Sequence, residues 1–531
     1  MANDPDNERF KNPGDTESKF IQETGFTTQT NYSYLYQTFH ALMGTETEQA
    51  KHDDVTALIE KLVYGWNGAD GFLFSGPADN VLNSHLAMGN HDKPRVLHGF
   101  CLDNDIFHGK LSDGHVMNEM RKFYAGDSQK LYDVDRMKEL NDELDNSQPG
   151  SLSYQQKREE LKELEKQYSP KALAMGKAID ESIEVVEMPV AAKNALKAAI
   201  RDLTTGENAE YFGVRPIDHN VEDVFNRAKE ICPEFDQLIK DEKKLKNAIQ
   251  DEFLKPGMEK YKAALSMLVC MPGNVTHYAG DELGETGFET KCKNVYLQNR
   301  NPLHWERVDS SSDNYRPIID EYKEEIARIY NLRNDEKLSP LVNGATVVLS
   351  PVKGTSENRN EVNIVPVYRY NEERDVIALF NNAGFGVKRA DKSVPVKVFS
   401  INLTRELEPV VKSNGQKAAN DKTYAITNQI PDGTEYLNAN TKDDTVYVVR
   451  GGKLERKDGK PIEMDSPALI LYRKETFNES RKPKNVSFQG KTLNPNVTLA
   501  NLKYNLPAHR TGFVGIKQVN SERADKITLS V

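Results

Sequence analysis

Met88-Gly-Asn-His-Asp-Lys-Pro-Arg95 is the most informative motif of this sequence. It closes an apolar run that begins at Val81, and it carries an imidazole and a carboxylate at His91 and Asp92. Pro94 disfavours helical backbone in the residue before it. A short hydrophobic strand that delivers polar side chains into a loop is how a parallel barrel presents catalytic groups at its carboxyl-terminal rim. The stretch therefore predicts an active-site edge.

A second group of motifs lies between residues 261 and 305. An apolar, Ala- and Leu-containing run ends in Pro272-Gly273, and Tyr278-Ala-Gly-Asp-Glu-Leu-Gly284 follows. Arg300-Asn-Pro-Leu-His-Trp305 closes the group. Asn-His-Asp with x-Pro-Arg, then Tyr-x-Gly-Asp-Glu-x-Gly, then Arg-x-Pro-x-x-Trp, in this order, resembles the α-amylase family of glycoside hydrolases.

The resemblance implies a role for each residue of the first motif. In that family the Asn-His-Asp motif ends the seventh strand of a (β/α)8 barrel, and its aspartate is a catalytic-site carboxylate. Asp92 would hold the 2- and 3-hydroxyls of the sugar, and His91 would donate to the same hydroxyls. Arg95 would keep the nucleophile ionised or contact the first sugar, since a guanidinium lowers the pKa of a neighbouring carboxylate. Asn90 and Tyr278 complete the predicted substrate-binding set.

The resemblance also shows which catalytic residues are missing. The family keeps its nucleophilic aspartate in a Gly-Phe-Arg-x-Asp stretch on strand four and its acid glutamate on strand five. Neither stretch precedes Asp92, and Gly71-Phe-Leu-Phe-Ser-Gly-Pro-Ala-Asp79 has Leu73 in place of the arginine. About ninety residues precede Asp92, too few for a whole barrel. We therefore expect the carboxyl-terminal part of an α-amylase-like protein, without its nucleophile and acid/base.

Two functions stay open. The first is an α-glucan-active hydrolase or glucanotransferase, acting on starch, glycogen or malto-oligosaccharides, whose other carboxylates lie on an upstream half of the same barrel. The second is a non-catalytic α-amylase-like module that binds carbohydrate or protein. Retention of Asn90, His91, Asp92 and Arg95 as a set favours the first function. No cofactor or metal is expected, and calcium stays an open alternative that nothing in this chain indicates.

Composition narrows the class of partner. The chain has 531 residues and a net charge of −11, which argues against nucleic acid or an anionic membrane because both need a basic face. No run approaches the roughly 20 apolar residues of a membrane span. The first residues lack the basic and apolar regions of a signal peptide, so a cytoplasmic location is the default expectation. The four cysteines have neither zinc-site nor disulfide-framework spacing.

The chain divides into five predicted segments and an α/β fold class overall. Residues 1–103 are expected to form part of a TIM barrel, from the end of strand five to strand seven, and residues 104–258 a charged helical insertion. Residues 259–334 would supply the last barrel strand and helix. Short β-like runs with turn signals predict an antiparallel β-sandwich over 335–475, and 476–531 a β-type tail. A barrel with open strand edges predicts a chain that aggregates or needs its missing half to fold.

The insertion and the Asp281-Glu282 pair each leave alternatives. Tyr154 to Tyr168 places Leu161 at helical spacing among alternating charges, which predicts a solvated helical hairpin. A lid over the cleft is the sharper interpretation, because loops after barrel strands form the catalytic rim. Asp281 and Glu282 resemble a catalytic pair, yet adjacent strand residues point to opposite faces. We expect them to be rim and packing residues.

Overall fold

The computed structural model describes most of the chain between residues 84 and 476, together with a few short strands outside that range. The described residues are 29–30, 84–89, 95–271, 274–287, 302–349, 352–356, 359–371, 373–381, 396–403, 405–406, 425–426, 430–439, 444–464, 468–476, 486–488 and 491–493.

Helices occupy most of the stretch from residue 96 to residue 343, and strands dominate after it. The helices are α1 Val96–Phe100, α2 Asn104–Phe107, α3 Gly114–Phe123, α4 Ser128–Asp145, α5 Leu152–Glu165, α6 Pro170–Val185, α7 Val190–Leu203, α8 Ala209–Val214, α9 Ile217–Ile231, α10 Phe235–Leu238, α11 Glu242–Cys270, α12 Pro317–Asn331 and α13 Pro340–Asn343. The strands are β1 Gln29–Thr30, β2 Ser84–Ala87, β3 Asn274–Thr276, β4 Ala345–Val348, β5 Val352–Ser356, β6 Arg359–Tyr370, β7 Asp375–Asn381, β8 Val396–Val398, β9 Ile401–Asn402, β10 Arg405–Glu406, β11 Ala425–Ile426, β12 Glu435–Asn438, β13 Val446–Arg450, β14 Lys453–Arg456, β15 Ile462–Met464, β16 Ala468–Arg473, β17 Val486–Phe488 and β18 Lys491–Leu493.

The first three strands form a small parallel sheet in the order β1-β2-β3. Thr30 pairs with His85, and Leu86 pairs with Val275. Parallel neighbours need a crossover connection, and the helices from α1 to α11 supply the one between β2 and β3. The predicted mixture of α and β structure is confirmed, whereas three strands do not show an eight-stranded barrel.

Residues 104–258, the predicted charged helical insertion, contain α2 to α10 and the first part of α11, and α4 and α5 form a hairpin. α4 and α5 pack side by side, with the Ser151 hydroxyl capping α5 by accepting from the Tyr154 N–H at 3.2 Å. Leu161 is buried, as its helical spacing predicts, whereas Tyr168 is buried beyond the end of α5, where it forms a bridge with Thr205. On the outer side of the hairpin, Arg136 pairs with Glu160 at 2.7 Å.

The rest of the insertion belongs to the main core and is not a charged appendage. α6 buries nine residues, and seven of these, including Leu173, Met175 and Ile179, lie in the same hydrophobic cluster as Leu97 of α1. α11 runs for 29 residues and continues across the expected segment boundary after residue 258. One helix is therefore shared by the insertion and by the segment that leads to β3.

The antiparallel strands predicted after residue 335 are confirmed. β15, β8, β5, β6, β7, β16, β12, β13, β14 and β9 follow one another in one hydrogen-bonded ladder, and β4 also pairs with β6. This continuous ladder differs from two separate sheets packed face to face. β17 and β18 join a smaller sheet with β10 and β11, so two pieces of the predicted β-type tail are strands.

Alternation along β6 and β7 explains how this sheet is packed. Ile364 and Ile377 lie in a cluster formed within the β region, whereas Val365 and Val376 lie in the large cluster that contains the helices. Successive strand residues face opposite sides, so both faces of these strands bury apolar side chains. Arg369 adds a polar link, because its guanidinium donates at 2.6 Å to the carbonyl of Cys270 at the end of α11.

Candidate functional site

The loops that follow β2 and β3 leave the parallel sheet at the same edge, because the two strands run in the same direction. The loop after β2 contains the predicted motif. Gly89 and Arg95, which flank it, are described, whereas Asn90, His91 and Asp92 lie outside the described residues. Tyr278, the fifth predicted site residue, lies two residues beyond β3 and is half-buried.

Arg95 is buried, and its guanidinium contacts three groups of the loop after β3. Nη1 donates to the Ala279 carbonyl at 2.7 Å and lies 3.2 Å from the Asp281 carboxylate. The guanidinium carbon also lies 4.2 Å from the centre of the Tyr278 ring, in the geometry of a cation–π contact. Arg95 therefore joins the two loops. Its expected contact with a nucleophile or a sugar stays a prediction.

Asp281 lies close to the residues on both flanks of the motif, Arg95 and Gly89. Its second oxygen accepts from the Tyr261 hydroxyl at 3.1 Å, and its first pairs with Arg95. Gly89, on the other flank, is so close that a Cβ there would lie 3.4 Å from Asp281 Oδ2. Burial raises the pKa of Asp281, and the charges of Arg95 and His277 oppose that shift without cancelling it.

The prediction that Asp281 and Glu282 continue a strand is wrong. They begin a short 3-10 turn, Asp281–Leu283, that follows Gly280. Gly280 has φ 101°, a conformation that favours glycine, and a Cβ there would lie 2.6 Å from the Leu303 side chain. The chain therefore makes a tight turn after β3. The geometry of this turn, and not the pleat of a strand, sets the relative positions of the Asp281 and Glu282 carboxylates.

Glu282 is held in a separate hydrogen-bonded group. Its Oε2 lies 2.5 Å from His277 Nε2 and accepts from the Gly280 N–H at 2.8 Å, while His277 Nδ1 lies 3.1 Å from the Tyr330 hydroxyl. Burial alone would raise the pKa of Glu282, but the hydrogen bonds from His277 and from backbone N–H groups bring it below its usual value. Both carboxylates thus have structural partners, in agreement with the expected packing role.

A third charged group continues the same edge towards the helical insertion. His304 donates its backbone N–H to Glu285 at 3.0 Å, and its Nδ1 lies 2.9 Å from the same oxygen. This hydrogen bond raises the pKa of His304. Arg307 donates to the Leu283 carbonyl at 3.2 Å and pairs at 2.5 Å with Asp218, in the first turn of α9.

The junction between α8 and α9 is the part of the insertion that these contacts bring to the edge. The Ile217 N–H donates to Thr286 Oγ1 at 3.0 Å, and Gly287 lies against the backbone of Arg215. His98 of α1 lies with Nε2 3.2 Å from the Gly213 carbonyl. Residues 213–218 of the insertion therefore form one side of this edge, next to the loop after β3.

No model of a protein family matches the chain, and a search of curated proteins finds no similar sequence. Its function must therefore be argued from its own residues and their geometry.

Potential metal ligands come together elsewhere, in the helical segment. In the part of the chain that the structure describes, Asp103, Asp105 and His115 have ligand atoms within 4.8 Å of one another. Asp103 is already occupied, because one oxygen accepts from the Ile106 N–H and the other lies 3.3 Å from the Lys177 ammonium. The Lys177 ammonium thus already pairs with a carboxylate that a metal ion would need as a ligand. We base no function on this arrangement.

Sequence reasoning missed Asp218 and Glu285 as residues of this edge. Asp218 lies 89 positions before its partner Arg307, and such a separation carries no local signal. The turn after β3 did have a signal: a glycine directly before an aspartate, Gly280-Asp281, is typical of turns and argues against strand continuation.

Proposed function

We propose that the chain contributes the carboxyl-terminal part of an α-glucan-active site of the α-amylase type, in a hydrolase or glucanotransferase. One observation carries the proposal: β2, which leads into the Asn-His-Asp motif, lies between β1 and β3 in a parallel sheet. This order is the one expected of barrel strands six, seven and eight. The loops of β2 and β3 then form one edge, and Arg95 joins them through Asp281.

The chemistry follows from the residue types at that edge. A retaining glycosidase places two carboxyl groups roughly 5 Å apart, one attacking the anomeric carbon and one protonating the leaving oxygen. In our proposal Asp92 is a third carboxylate that binds the 2- and 3-hydroxyls of the sugar. Its hold strengthens as the ring flattens towards the oxocarbenium-like transition state, which is differential binding of that state. His91 donates to the same hydroxyls, and Asn90 and Tyr278 line the site.

The nucleophile and the acid/base would come from an upstream half of the same barrel. β1 and β3 are the outer strands of the described parallel sheet, and each is paired on one side. In an eight-stranded barrel, outer strands such as these pair with a further strand on their other side. No cofactor enters the proposal. Among the described helices none is long and apolar enough to cross a membrane.

One observation favours the alternative, a non-catalytic module that binds carbohydrate or protein. The Arg95 guanidinium is buried and already paired with the Asp281 side chain. An arginine engaged in this way has less capacity to keep a nucleophile ionised. The two functions differ in whether activity appears once the missing carboxylates are supplied.

The test is release of reducing ends from maltoheptaose and starch. The chain is assayed alone and mixed with a half-barrel of strands one to five that contains a family nucleophile and acid/base. Activity only in the mixture, lost when the chain carries Asp92→Asn, is expected. Activity of the chain alone would place the nucleophile within these residues. Glucan binding without activity in the mixture would support the binding module.

A further inference from the structure

The turn Trp305–Arg307 lies in the connection between β3 and α12, so it lies on the same edge of the parallel sheet as the Arg95–Asp281 pair. Leu303 brings it there. Its Cδ2 atom would lie 2.6 Å from a Cβ placed on Gly280, and the Arg95 guanidinium would lie 3.1 Å from the same position. The turn is therefore in packing contact with the loop that Arg95 holds.

Two residues that flank Trp305 in this turn, His304 and Arg307, are held by contacts. Before it, His304 makes two contacts with Glu285, at 3.0 and 2.9 Å. After it, Arg307 is buried and pairs with Asp218, while the Arg307 carbonyl accepts from the Arg316 N–H at 2.8 Å. A side chain on such a turn loses little backbone freedom when it binds a ligand.

Trp305 is nevertheless 55% exposed. Tryptophan is highly buried on average, so a large indole left in water on a rigid turn is informative, although a single exposed aliphatic residue is not. The face of an aromatic ring is electron-rich, and the C–H face of a pyranose ring offers it weakly positive hydrogens. A flat apolar surface beside a polar edge suits a sugar, which has one C–H face and a rim of hydroxyls.

We propose that Trp305 is a stacking platform for a glucosyl unit of the bound α-glucan, on the edge where the Arg95–Asp281 pair lies. The inference rests on the proposed function and names a residue that determines affinity for longer chains. Other exposed apolar residues lie elsewhere in the fold. Leu152, Val185, Val190 and Ile231 are aliphatic and lie at helix ends. Tyr132 lies on α4 of the hairpin, and Phe399 follows β8 in the antiparallel sheet.

The experiment is a calorimetric titration of the 531-residue chain with maltoheptaose. Trp305→Ala is expected to weaken binding roughly tenfold, the size of an aromatic contact. Trp305→Phe should retain most of the affinity. The matched control is Tyr132→Ala, which removes an aromatic ring that is 64% exposed, and it should leave affinity unchanged. Because Trp305 is exposed, its replacement should not affect folding.

Tryptophan fluorescence provides a second readout. The difference in emission between the wild-type chain and Trp305→Phe is the emission of Trp305, and maltoheptaose should change that component. Affinity that is unaffected by Trp305→Ala would overturn the inference and leave the proposed function standing. Absence of maltoheptaose binding by the wild-type chain, both alone and mixed with the upstream half-barrel, would overturn both.

Discussion

Two buried arginine–aspartate pairs, one in the antiparallel sheet and one at the edge of the parallel sheet, differ in the contacts that hold them. In the antiparallel sheet Arg473 contacts both oxygens of Asp375, and the hydroxyls of Tyr368 and Tyr436 donate to the same carboxylate at 2.9 and 3.0 Å. At the parallel edge Arg95 contacts one oxygen of Asp281, at 3.2 Å.

The supporting elements differ in the same way. Asp375 and Arg473 come from neighbouring strands, β7 and β16, so the ladder itself fixes their distance. Arg95 and Asp281 come from two loops, and Gly280 with its left-handed backbone lies between Asp281 and β3. A pair within a ladder can only stabilise the sheet. A pair between loops also constrains the loops themselves, here at Arg95, the described residue that follows the Asn-His-Asp motif.

The largest predicted effect would break the structural pair. Asp375→Asn leaves the buried Arg473 without a counter-charge, and we expect the free energy of unfolding to fall by about 3–5 kcal/mol. Urea unfolding followed by circular dichroism measures this change. Asp458→Asn is the control, since Asp458 makes an exposed ion pair with Arg456 in the same sheet and should show no measurable change. A loss for Asp375→Asn as small as the control's would mean that the ladder, not the pair, holds these strands.

The next effect concerns acid stability of the half that contains Arg95. Burial lowers the pKa of His98 to about 4, against an ordinary value of 6.5. Between these values the unfolded chain binds a proton that the folded chain does not, so stability falls as the pH drops from about 6.5 to 4. The loss from this group approaches about 3 kcal/mol at the lower end.

Unfolding of the wild-type chain and of His98→Gln, measured from pH 7 to pH 4, isolates that loss. Glutamine keeps a donor near the Gly213 carbonyl and does not titrate in this range. The wild-type curve should be steeper. Parallel curves would show that His98 is protonated in the folded chain and that the α1–α8 contact is looser than its geometry indicates.

The pair at the parallel edge should give a smaller loss of stability and a larger loss of binding. Asp281→Asn removes one charged hydrogen bond, while the Ala279 carbonyl and the Tyr278 ring still contact Arg95. We expect a loss of about 1.5–3 kcal/mol in unfolding free energy and weaker maltoheptaose binding. If Asp281→Asn leaves binding unchanged after correction for the folded fraction, this pair is as purely structural as Arg473–Asp375.

The smallest effect is expected at the hairpin, which belongs to neither pair. Arg136→Ala breaks the surface contact with Glu160, in which the side chains are 25% and 47% exposed. We expect a change of about 0.5 kcal/mol and no change in sugar binding. A loss of sugar binding in this variant would revive the interpretation of the hairpin as a lid.

The two halves also differ in how far the sequence predicts them. Strands such as β7 and β16 follow from runs of apolar and β-branched residues bounded by turns, and alternation along β6 shows which residues face which core. The burial of α6 to α9 was missed, because charged residues on their outer faces made the whole segment look solvated.

The candidate edge was predicted less completely than the fold. Motif order placed the loops of β2 and β3 together, which agrees with their parallel pairing. The partner of Arg95 lies 186 positions away, and no local pattern indicates such a pair. The expected contact of Arg95 with a sugar or a nucleophile stays a prediction, and among the described residues its ionic partner is Asp281.

The most direct test of whether the parallel edge is the functional site is hydrogen–deuterium exchange of the chain with and without maltoheptaose. A sugar held at the parallel edge should slow exchange in residues 88–96 and 277–287, and Asp92→Asn should abolish that protection. Strands β4 to β16 should exchange equally in both conditions. Protection confined to those strands, or none at saturating sugar, would contradict the claim that the parallel edge is the functional site.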